Sequence, residues 1–359
     1  TRKIIQLDEQ AAHFTGRIVN LLQGNEPGKI AAEEQERFVD WLSQSNVSQH
    51  DHADVYFVHD FQLVPLAHLY PWMRPAVWFC HIDTAHPNSH ARRYVLDFLE
   101  PYKICAFNSD LSVFPELPPE RTQVITLGID PFRRKNAPLE RAHGLQLLQT
   151  CGIDVRRPLI TQVARYDRWK NPWQAIDIYR LVKQHMPDVQ LAFVGAMEAT
   201  DDKGAAHVLQ VLEKYAQGDQ DIHFLSDPAL IGDDEVNAFQ RYSSVILQRS
   251  EREGFGLTAT EAMWKYQPVV GTSSTGLRTQ IRDCENGYCV DDTQAAAERV
   301  LALLQQRELW QRLGKQAHEH VREHYLLPMM LLDYLDVLEN AYARPVQEEP
   351  DADIESVAD

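Results

Sequence analysis

The sequence predicts an α/β protein made of two doubly wound domains with mostly parallel sheets. Short apolar runs of strand length alternate with helical patterns, and such alternation requires right-handed crossovers between parallel strands. The length of 359 residues is too great for one simple core and fits two domains. A composition of 44% hydrophobic and 24% charged residues is that of a folded globular chain.

The first half of the chain begins with helices. Two helical patterns, Gln10 to Leu22 and Ala31 to Leu42, precede any strand. The apolar runs that predict strands are Val55 to Val58, Ala76 to Cys80, Ile104 to Phe107 and Val124 to Leu127. A doubly wound domain usually has about five or six strands, and residue 1 is Thr instead of Met. We therefore expect the first β-α-β unit of this domain to be missing; the alternative is a smaller first domain.

The second half shows a complete alternating series. Its predicted strands are Leu159 to Val163, Val189 to Val194, Ile222 to Leu225, Val245 to Leu247 and Val269 to Val270. We place the domains at 1–135 and 136–325, a C-terminal helix at 326–344 and a disordered tail at 345–359. The tail is acidic and poor in large apolar residues, as disordered segments are.

Charge and composition restrict the partners. Lys and Arg number 35 against 52 Asp and Glu, a net charge of −17, which argues against binding to nucleic acid or anionic membrane. No apolar stretch reaches the roughly 20 residues that span a bilayer, and the first residues lack a signal-peptide core. The five cysteines are scattered, as expected for reduced thiols. We expect a cytoplasmic protein with small-molecule ligands, in which a few local cations hold any anion.

A glycine-containing turn between two glutamates carries the clearest chemical pattern. It follows a strand, opens a helix and contains Glu253, Gly254, Phe255, Gly256, Leu257, Thr258 and Glu261. Gly254 and Gly256 allow close backbone approach, so the free N–H groups of the following helix offer a diphosphate site. Glu253 is placed to accept hydrogen bonds from a sugar and Glu261 from a ribose. Thr258 and Glu261 also form a capping-box pattern, which would explain Glu261 by helix stability alone.

A second pattern follows the first strand of the second domain. Arg165 and Lys170 lie at the carboxyl end of that strand, the ligand-binding edge of open α/β sheets. An Arg fork and a Lys point charge together suit a leaving diphosphate, whose negative charge grows as its bond breaks. The alternative is a solvated loop in which Asp167 neutralises Arg165 or Arg168.

Together the two patterns resemble those of a known family. The retaining nucleotide-sugar glycosyltransferases of the GT-B fold, in glycosyltransferase family four, have an Arg and a downstream Lys after this strand. They also have a Glu-x(7)-Glu element around a Gly-Phe-Gly turn, and the pattern maps onto Arg165, Lys170, Glu253 and Glu261. Within the family the chain is most similar to trehalose-forming members, from about residue 21 to about 338. The similar segments are 24–26, 58–62, 80–83, 87–88, 129–131, 160–163, 236–241 and 252–265.

The resemblance implies a fold and a set of site residues. Two Rossmann-like domains would face a cleft, the first binding the acceptor and the second the nucleotide sugar. The implied catalytic residues are Glu253, His81, Arg165 and Lys170. The implied donor contacts are Arg165, Lys170, Glu253, Gly254, Phe255, Gly256, Leu257, Thr258 and Glu261. The implied acceptor contacts are His59, Asp60, Gln62, His81 and Asp83. The family's N-terminal glycine-rich loop has no counterpart, because the chain starts after it.

The resemblance also implies an activity. Glucose would pass from a nucleoside-diphosphate-glucose to a sugar acceptor with retention, and with glucose as acceptor the product is trehalose. The alternatives are a trehalose phosphorylase or sucrose-type synthase of the same family, and a silent remnant that binds sugar nucleotides. No cofactor is obligatory and a divalent cation is not required, since Arg165 and Lys170 neutralise the diphosphate. A homodimer is expected by resemblance.

The sequence offers one competing chemistry. His50-Asp51-His52 and the His81, Asp83, His86 pattern contain the side chains of hydrolase metal sites. A metal hydrolase would leave Arg165, Lys170 and the glycine turn without a role, so we expect no metal site.

Overall fold

The computed structural model describes residues 4–5, 8–24, 28–45, 47, 52–195 and 203–343. The predicted tail at 345–359 lies outside the described residues, as do His50, Asp51 and part of the similar segment at 24–26. In the parts of the chain that are described, no helix combines the length and the apolar character needed to cross a bilayer.

The N-terminal part is built on a four-stranded parallel sheet in the order β1-β2-β3-β4. Its helices are α1 (Glu9–Leu22), α2 (Ala32–Ser43), α3 (Leu66–Leu69) and α4 (Ser89–Leu96). Its strands are β1 (Tyr56–His59), β2 (Ala76–Cys80), β3 (Ile104–Phe107) and β4 (Thr122–Val124). The two predicted opening helices and the first three strands are confirmed. The fourth strand ends at Val124, where the predicted one begins, because the apolar character of Ile125 and Leu127 comes from burial beneath a helix.

The C-terminal part is built on a six-stranded parallel sheet in the order β10-β9-β8-β5-β6-β7. Its strands are β5 (Leu159–Val163), β6 (Gln190–Val194), β7 (Ile222–Leu225), β8 (Val245–Gln248), β9 (Val269–Gly271) and β10 (Gly287–Cys289). Its helices are α5 (Arg141–Thr150), α6 (Pro172–Lys183), α7 (Lys203–Ala216), α8 (Asp233–Tyr242), α9 (Leu257–Trp264), α10 (Thr275–Gln280), α11 (Thr293–Gln305) and α12 (Arg307–His324). The strand order reverses between β5 and β8, which is the switch point of a doubly wound fold. The sequence did not predict β10, which has three residues and begins on a glycine.

The last helix, α13 (Leu327–Tyr342), returns to the N-terminal sheet. Its Val337 and Ala341 pack with Val77 and Phe79 of β2 on one face of that sheet. Trp78 and Cys80 point to the opposite face, towards α1 and α4, as the alternation of a strand requires. The chain thus passes between the halves twice, and the two passages run together: Ile129 N donates to Tyr325 O at 2.9 Å, and Leu327 N to Ile129 O at 2.9 Å.

Candidate active site

The cleft that the four predicted catalytic residues line, together with Gly254, lies at the switch point of the C-terminal sheet. The segments after β5 and β8 line one side of a space of about 590 Å³. The other side comes from α1, through Val19, Asn20 and Gln23, and from His81 and Ile82 after β2. Both halves of the molecule therefore face one cleft at the carboxyl edge of the sheet, where open α/β sheets bind their ligands.

Lys170 and Glu253 meet in this cleft although they are far apart in the sequence. Lys170 Nζ lies 2.5 Å from Glu253 Oε2, and Ser250 Oγ donates to the same oxygen at 3.1 Å. The two side chains are 19% and 14% exposed, so the ion pair is largely shielded from water. A shielded charge pair of this kind is well fixed, because removing one partner leaves the other charge buried and unpaired.

The turn after β5 fixes the position of Lys170. Asp167 accepts a hydrogen bond from Trp169 N at 3.0 Å and caps a single 3₁₀ turn that ends at Lys170. Gln162 Nε2 donates to the Lys170 carbonyl at 2.9 Å. Asn171 then takes a left-handed conformation, with φ of 44°, and its side chain caps α6. The cation is thus held on a short, well-bonded turn.

Further cations line the same cleft. Arg165 is 79% exposed at its side chain, and its Nη2 lies 3.7 Å from Asp167 Oδ2. The Arg168 guanidinium lies 4.2 Å from the centre of the Trp169 ring. With Lys170 and Arg252, the lining carries four cations against the two carboxylates of Asp167 and Glu253. In a chain with a net charge of −17, this local positive excess favours an anionic ligand.

The glycine turn has the expected opening onto a helix. Gly256, with φ of 94°, is the N-cap of α9, so Leu257 and Thr258 begin the helix with free N–H groups. The capping-box explanation of Glu261 is wrong, because the cap falls two residues before Thr258 and no side chain caps the helix. Phe255 is 4% exposed and packs on Tyr325, so its side chain belongs to the core.

Gly254 lies where the two halves touch. A Cβ atom built on it would lie 2.8 Å from the His81 carbonyl oxygen and 3.2 Å from Asp83 N. The close approach that this glycine allows is therefore to the backbone of the N-terminal half.

Glu261 lies apart from the other predicted donor residues. It is 2% exposed, forms an ion pair with Lys135 and accepts a hydrogen bond from Gln240 Nε2 at 3.2 Å. It is not among the described residues that line the cleft. Its contact with a ribose stays a prediction.

On the N-terminal side, His81 reaches the cleft. Its Nε2 lies 2.8 Å from His59 Nδ1, and its backbone N donates to Asp60 Oδ1 at 3.0 Å. Burial lowers the pKa of His81 to about 4, so the ring is neutral near pH 7. Burial also raises the pKa of Asp60, although its hydrogen bond to His81 N opposes this.

The other predicted acceptor residues do not line this cleft. Asp83 lines a second cavity next to the cleft, and His59, Asp60 and Gln62 are not among the described residues lining either space. Among the described residues, no group of three or more His, Cys, Asp or Glu side chains is placed to hold a metal ion.

Sequence reasoning missed some of the cleft lining. Arg168 and Arg252 are neighbours of predicted site residues in the sequence. Their positive charge was the feature from which they could have been predicted. Val19, Asn20 and Gln23 carry no signal in the sequence, because they come from a helix and not from the end of a strand.

Two parallel-sheet domains around one cleft, with cations at the switch point of the second, define a glycosyltransferase of the GT-B type. The family model "Glycosyl transferases group 1" matches residues 148–320, and "Trehalose synthase, N-terminal domain" matches residues 2–113.

Relatives of known activity support the same classification. Trehalose synthase of Thermococcus litoralis is 37% identical over 93% of this chain and 81% of its own length. Trehalose synthase of Pyrococcus horikoshii is 39% identical over the same shares. A trehalose-phosphate synthase structure from Burkholderia vietnamiensis has a TM-score of 0.76 over 94% of this chain and 86% of that one; at 15% identity it supports the fold alone. The chain belongs to the trehalose synthase family of glycosyltransferases.

Proposed function

We propose that this enzyme transfers glucose, with retention, from a nucleoside-diphosphate-glucose to free glucose and so makes trehalose. The observation that carries the proposal is the Lys170–Glu253 pair, which lines one cleft together with Arg165 and His81. It is supported by the 37% and 39% identity to trehalose synthases over 93% of the chain.

The C-terminal half would hold the donor. Arg165 and Lys170 contact the diphosphate, and the N–H groups of Leu257 and Thr258 at the start of α9 add their partial positive charge. These groups stabilise the charge that grows on the leaving diphosphate. Glu253 accepts hydrogen bonds from the hydroxyl groups of the transferred sugar while keeping Lys170 in place. The backbone of Gly254, Phe255 and Gly256 lies along the donor. To bind the ribose, Glu261 must exchange its contacts with Lys135 and Gln240 for the ribose hydroxyls.

The N-terminal half would hold the acceptor. Neutral His81 offers its remaining ring nitrogen, Nδ1, to the transferred sugar, because its Nε2 is hydrogen-bonded to His59, which fixes the ring. Asp60, Gln62 and Asp83 contribute acceptor contacts. The acceptor hydroxyl attacks the face that the diphosphate leaves, and a leaving phosphate oxygen takes its proton. Closing the halves around both sugars excludes water and so favours transfer over hydrolysis. No divalent cation is required, because the cleft supplies its own cations.

Two further features belong to the proposal. All five cysteines are free, which supports a reducing compartment such as the cytoplasm. We also propose that the chain forms a homodimer.

The decisive experiment tests donor, acceptor and product together. The full chain is incubated with each of several nucleoside-diphosphate-glucoses and glucose, and NMR is used to detect a non-reducing disaccharide. Trehalose and the nucleoside diphosphate are expected in equal amounts, and Glu253→Gln is expected to reduce their formation about a hundredfold or more. Phosphate-dependent breakdown of trehalose would instead assign a phosphorylase, and fructose acceptance a sucrose-type synthase. Nucleotide binding without turnover would indicate a silent remnant.

A further inference from the structure

The short helix α10 is packed directly against the glycine turn that follows Glu253. Gly276 N donates to the Glu253 carbonyl oxygen at 2.8 Å. A Cβ atom built on Gly276 would lie 2.4 Å from Phe255 Cα and 2.5 Å from the Phe255 backbone nitrogen and oxygen. The backbones of α10 and of the turn are therefore in contact, and a residue with a side chain does not fit at position 276.

Gln280, the last residue of α10, joins the turn to α9 through its side chain. Its Nε2 donates to the carbonyl oxygen of Phe255, the residue between the two glycines, and to Gly276 O at 3.1 Å. Its Oε1 accepts a hydrogen bond from Thr260 Oγ1, in the first turn of α9, at 2.5 Å. Gln280 and Thr260 are both 0% exposed, so water does not replace these bonds if they are lost. We call this set of hydrogen bonds the Gln280 bridge.

The backbone of the turn is permissive by itself. Gly254 and Gly256 have no Cβ, and Gly256 takes a φ of 94°, so the local sequence restricts the turn only weakly. The turn nevertheless sets two directions at once, that of the Glu253 side chain and that of the first N–H groups of α9. An amide that binds Phe255 on one side and Thr260 on the other fixes the angle between the turn and the helix.

We propose that Gln280 is a positioning residue for the transfer reaction, acting through the glycine turn. It is fully buried and is not among the described residues that line the cleft, so it touches neither substrate. The bridge keeps the Glu253 carboxylate and the N-terminal N–H groups of α9 aligned with each other. The proposal rests on the proposed function for what these groups bind.

Loss of the bridge affects catalysis more than donor binding. Arg165 and Lys170 come from the turn after β5, which the bridge does not touch, so they still hold the diphosphate. The groups that the bridge aligns act most strongly in the transition state, where small misplacements are costly. The value of kcat therefore falls while the donor KM changes little.

Three substitutions separate this role from a general contribution to stability. Gln280→Met removes all the hydrogen bonds of the amide at similar side-chain volume, and Thr260→Val removes only the bond to α9. Gln267→Met is the matched control, because Gln267 is also 0% exposed and its Nε2 donates to Arg241 O and Ser243 O at 3.0 Å each. Gln267 lies between α9 and β9, beyond the other end of the helix.

Two measurements on the full chain follow the effect. Steady-state kinetics gives kcat and the donor KM, at a temperature where thermal melting shows every variant to be folded. Hydrogen exchange, measured by mass spectrometry, follows the peptide that contains Ala259 and Thr260, whose amides donate to Gly256 O at 2.9 and 3.3 Å. This second measurement reports on the start of α9 without requiring turnover.

We expect kcat to fall about tenfold in Gln280→Met and less in Thr260→Val, with the donor KM within about twofold of the wild-type value in both. The double variant should be no slower than Gln280→Met, because the two side chains act as one unit. Exchange of the α9 peptide should be about tenfold faster in Gln280→Met than in the wild type. Gln267→Met should lose thermal stability but keep the wild-type kcat and the wild-type exchange of this peptide.

A folded Gln280→Met that keeps a kcat within about twofold of the wild type would overturn the proposal. An equal loss of kcat in Gln267→Met, or a loss confined to the donor KM, would overturn it as well. If the wild type forms no product, the proposed function fails and the exchange measurement decides the present proposal separately. Faster exchange in Gln280→Met alone then supports the positioning role, and unchanged exchange contradicts it.

Discussion

The ammonium group of Lys170 is held by a carboxylate before any donor arrives. Glu253 accepts from it at 2.5 Å, and the turn capped by Asp167 fixes its backbone. Under the proposed function, an arriving diphosphate meets a cation that is already in position and largely desolvated. Preorganised charge of this kind acts mainly on the transition state, because the leaving diphosphate gains negative charge as the bond breaks.

Lys170→Ala is therefore expected to reduce kcat much more than donor affinity. Loss of one preorganised donor typically reduces the rate about a hundredfold or more. Steady-state kinetics and calorimetric donor binding measure the two quantities, with Lys214→Ala, an exposed lysine on α7, as control. A variant that loses only donor affinity and keeps its kcat would remove Lys170 from the proposed role.

Single residues also show what the sequence could predict and what it could not. Lys170, Arg165 and Glu253 each follow a strand at the switch point, and strand ends are visible as the ends of apolar runs. The spacing of Glu261 from Glu253 predicts that it belongs to the same site. In the structure it is buried against Lys135 and Gln240, which are far from it in the sequence. No local pattern reveals such a partner. The same holds for Arg252, whose charge is visible but whose position between two cavities depends on the packing of the halves.

At the scale of elements, α9 is fastened to the segment that joins the two sheets. Lys265, just after α9, donates to Asn136 Oδ1 at 2.9 Å, to Gln240 Oε1 at 2.7 Å and to the Glu261 carbonyl at 3.1 Å. Burial lowers the pKa of this lysine from 10.5 to about 7. The helix whose N-terminal N–H groups are proposed to bind the diphosphate is thus anchored at its other end by this buried amine.

This shift predicts a pH dependence of stability. Between about pH 7 and 10.5 the unfolded chain keeps the Lys265 proton and the native chain releases it, so stability rises with pH in that window. The slope from one group is at most about 1.4 kcal/mol per pH unit. Lys265→Met is expected to flatten the dependence, measured as urea midpoints from about pH 7.5 to 9. Lys214→Met should keep the wild-type slope; equal slopes in all three proteins would contradict the shift.

The elements themselves differ in how far they could be predicted. Runs such as Ala76 to Cys80 and Ile104 to Phe107 match their strands, because both faces of a parallel sheet are buried and the whole strand is apolar. At β4 the apolar run continues beyond the last residue of the strand, because the following residues are buried beneath α13. The apolar pattern therefore indicates which residues are buried but not where the strand ends. β10 has only three residues, which is too short for an apolar pattern to predict a strand.

At the scale of the whole molecule, the contact at Gly254 is a point where the two halves approach closely. An alanine Cβ there would lie 2.8 Å from the His81 carbonyl oxygen, so Gly254→Ala must push the halves apart or displace the turn beside Glu253. A misplacement of this size is expected to reduce transfer about tenfold or more, while donor binding is kept. Because the gap admits water, the fraction of donor that is hydrolysed should rise.

The ratio of trehalose to free glucose released from the donor measures this effect. Gly16→Ala is the matched control, since a Cβ on that α1 residue meets no atom within 4 Å. An unchanged ratio in Gly254→Ala, with normal turnover, would show that the contact does not control water access.

The outer face of α13 is the surface that we assign to the proposed homodimer. Six large apolar side chains of this helix are at least 40% exposed among the described residues, including Leu331 at 57% and Leu335 at 51%. Beside them, Phe132 is 88% exposed at the rim of an apolar cavity of about 870 Å³ that Leu331 also lines. A projecting ring and a cavity on one patch give a second copy of the chain a surface to pack on, and a twofold interface uses the same patch on both subunits. Apolar patches of this extent on soluble proteins mark interaction sites.

We predict that the wild type in solution has twice the mass of one chain, which is 41.3 kDa. The double variant Leu331→Glu, Leu335→Glu is expected to have the mass of one chain. Two carboxylates placed in each half of the interface would be desolvated on association, which disfavours the dimer strongly. Light scattering at micromolar concentration measures the mass. Leu230→Glu is the control, since Leu230 is 61% exposed but lies between β7 and α8, away from α13. A monomeric wild type, or a double variant that stays dimeric, would contradict this assignment. Because the patch lies apart from the cleft that contains Lys170 and Glu253, the monomeric variant should keep its turnover per chain.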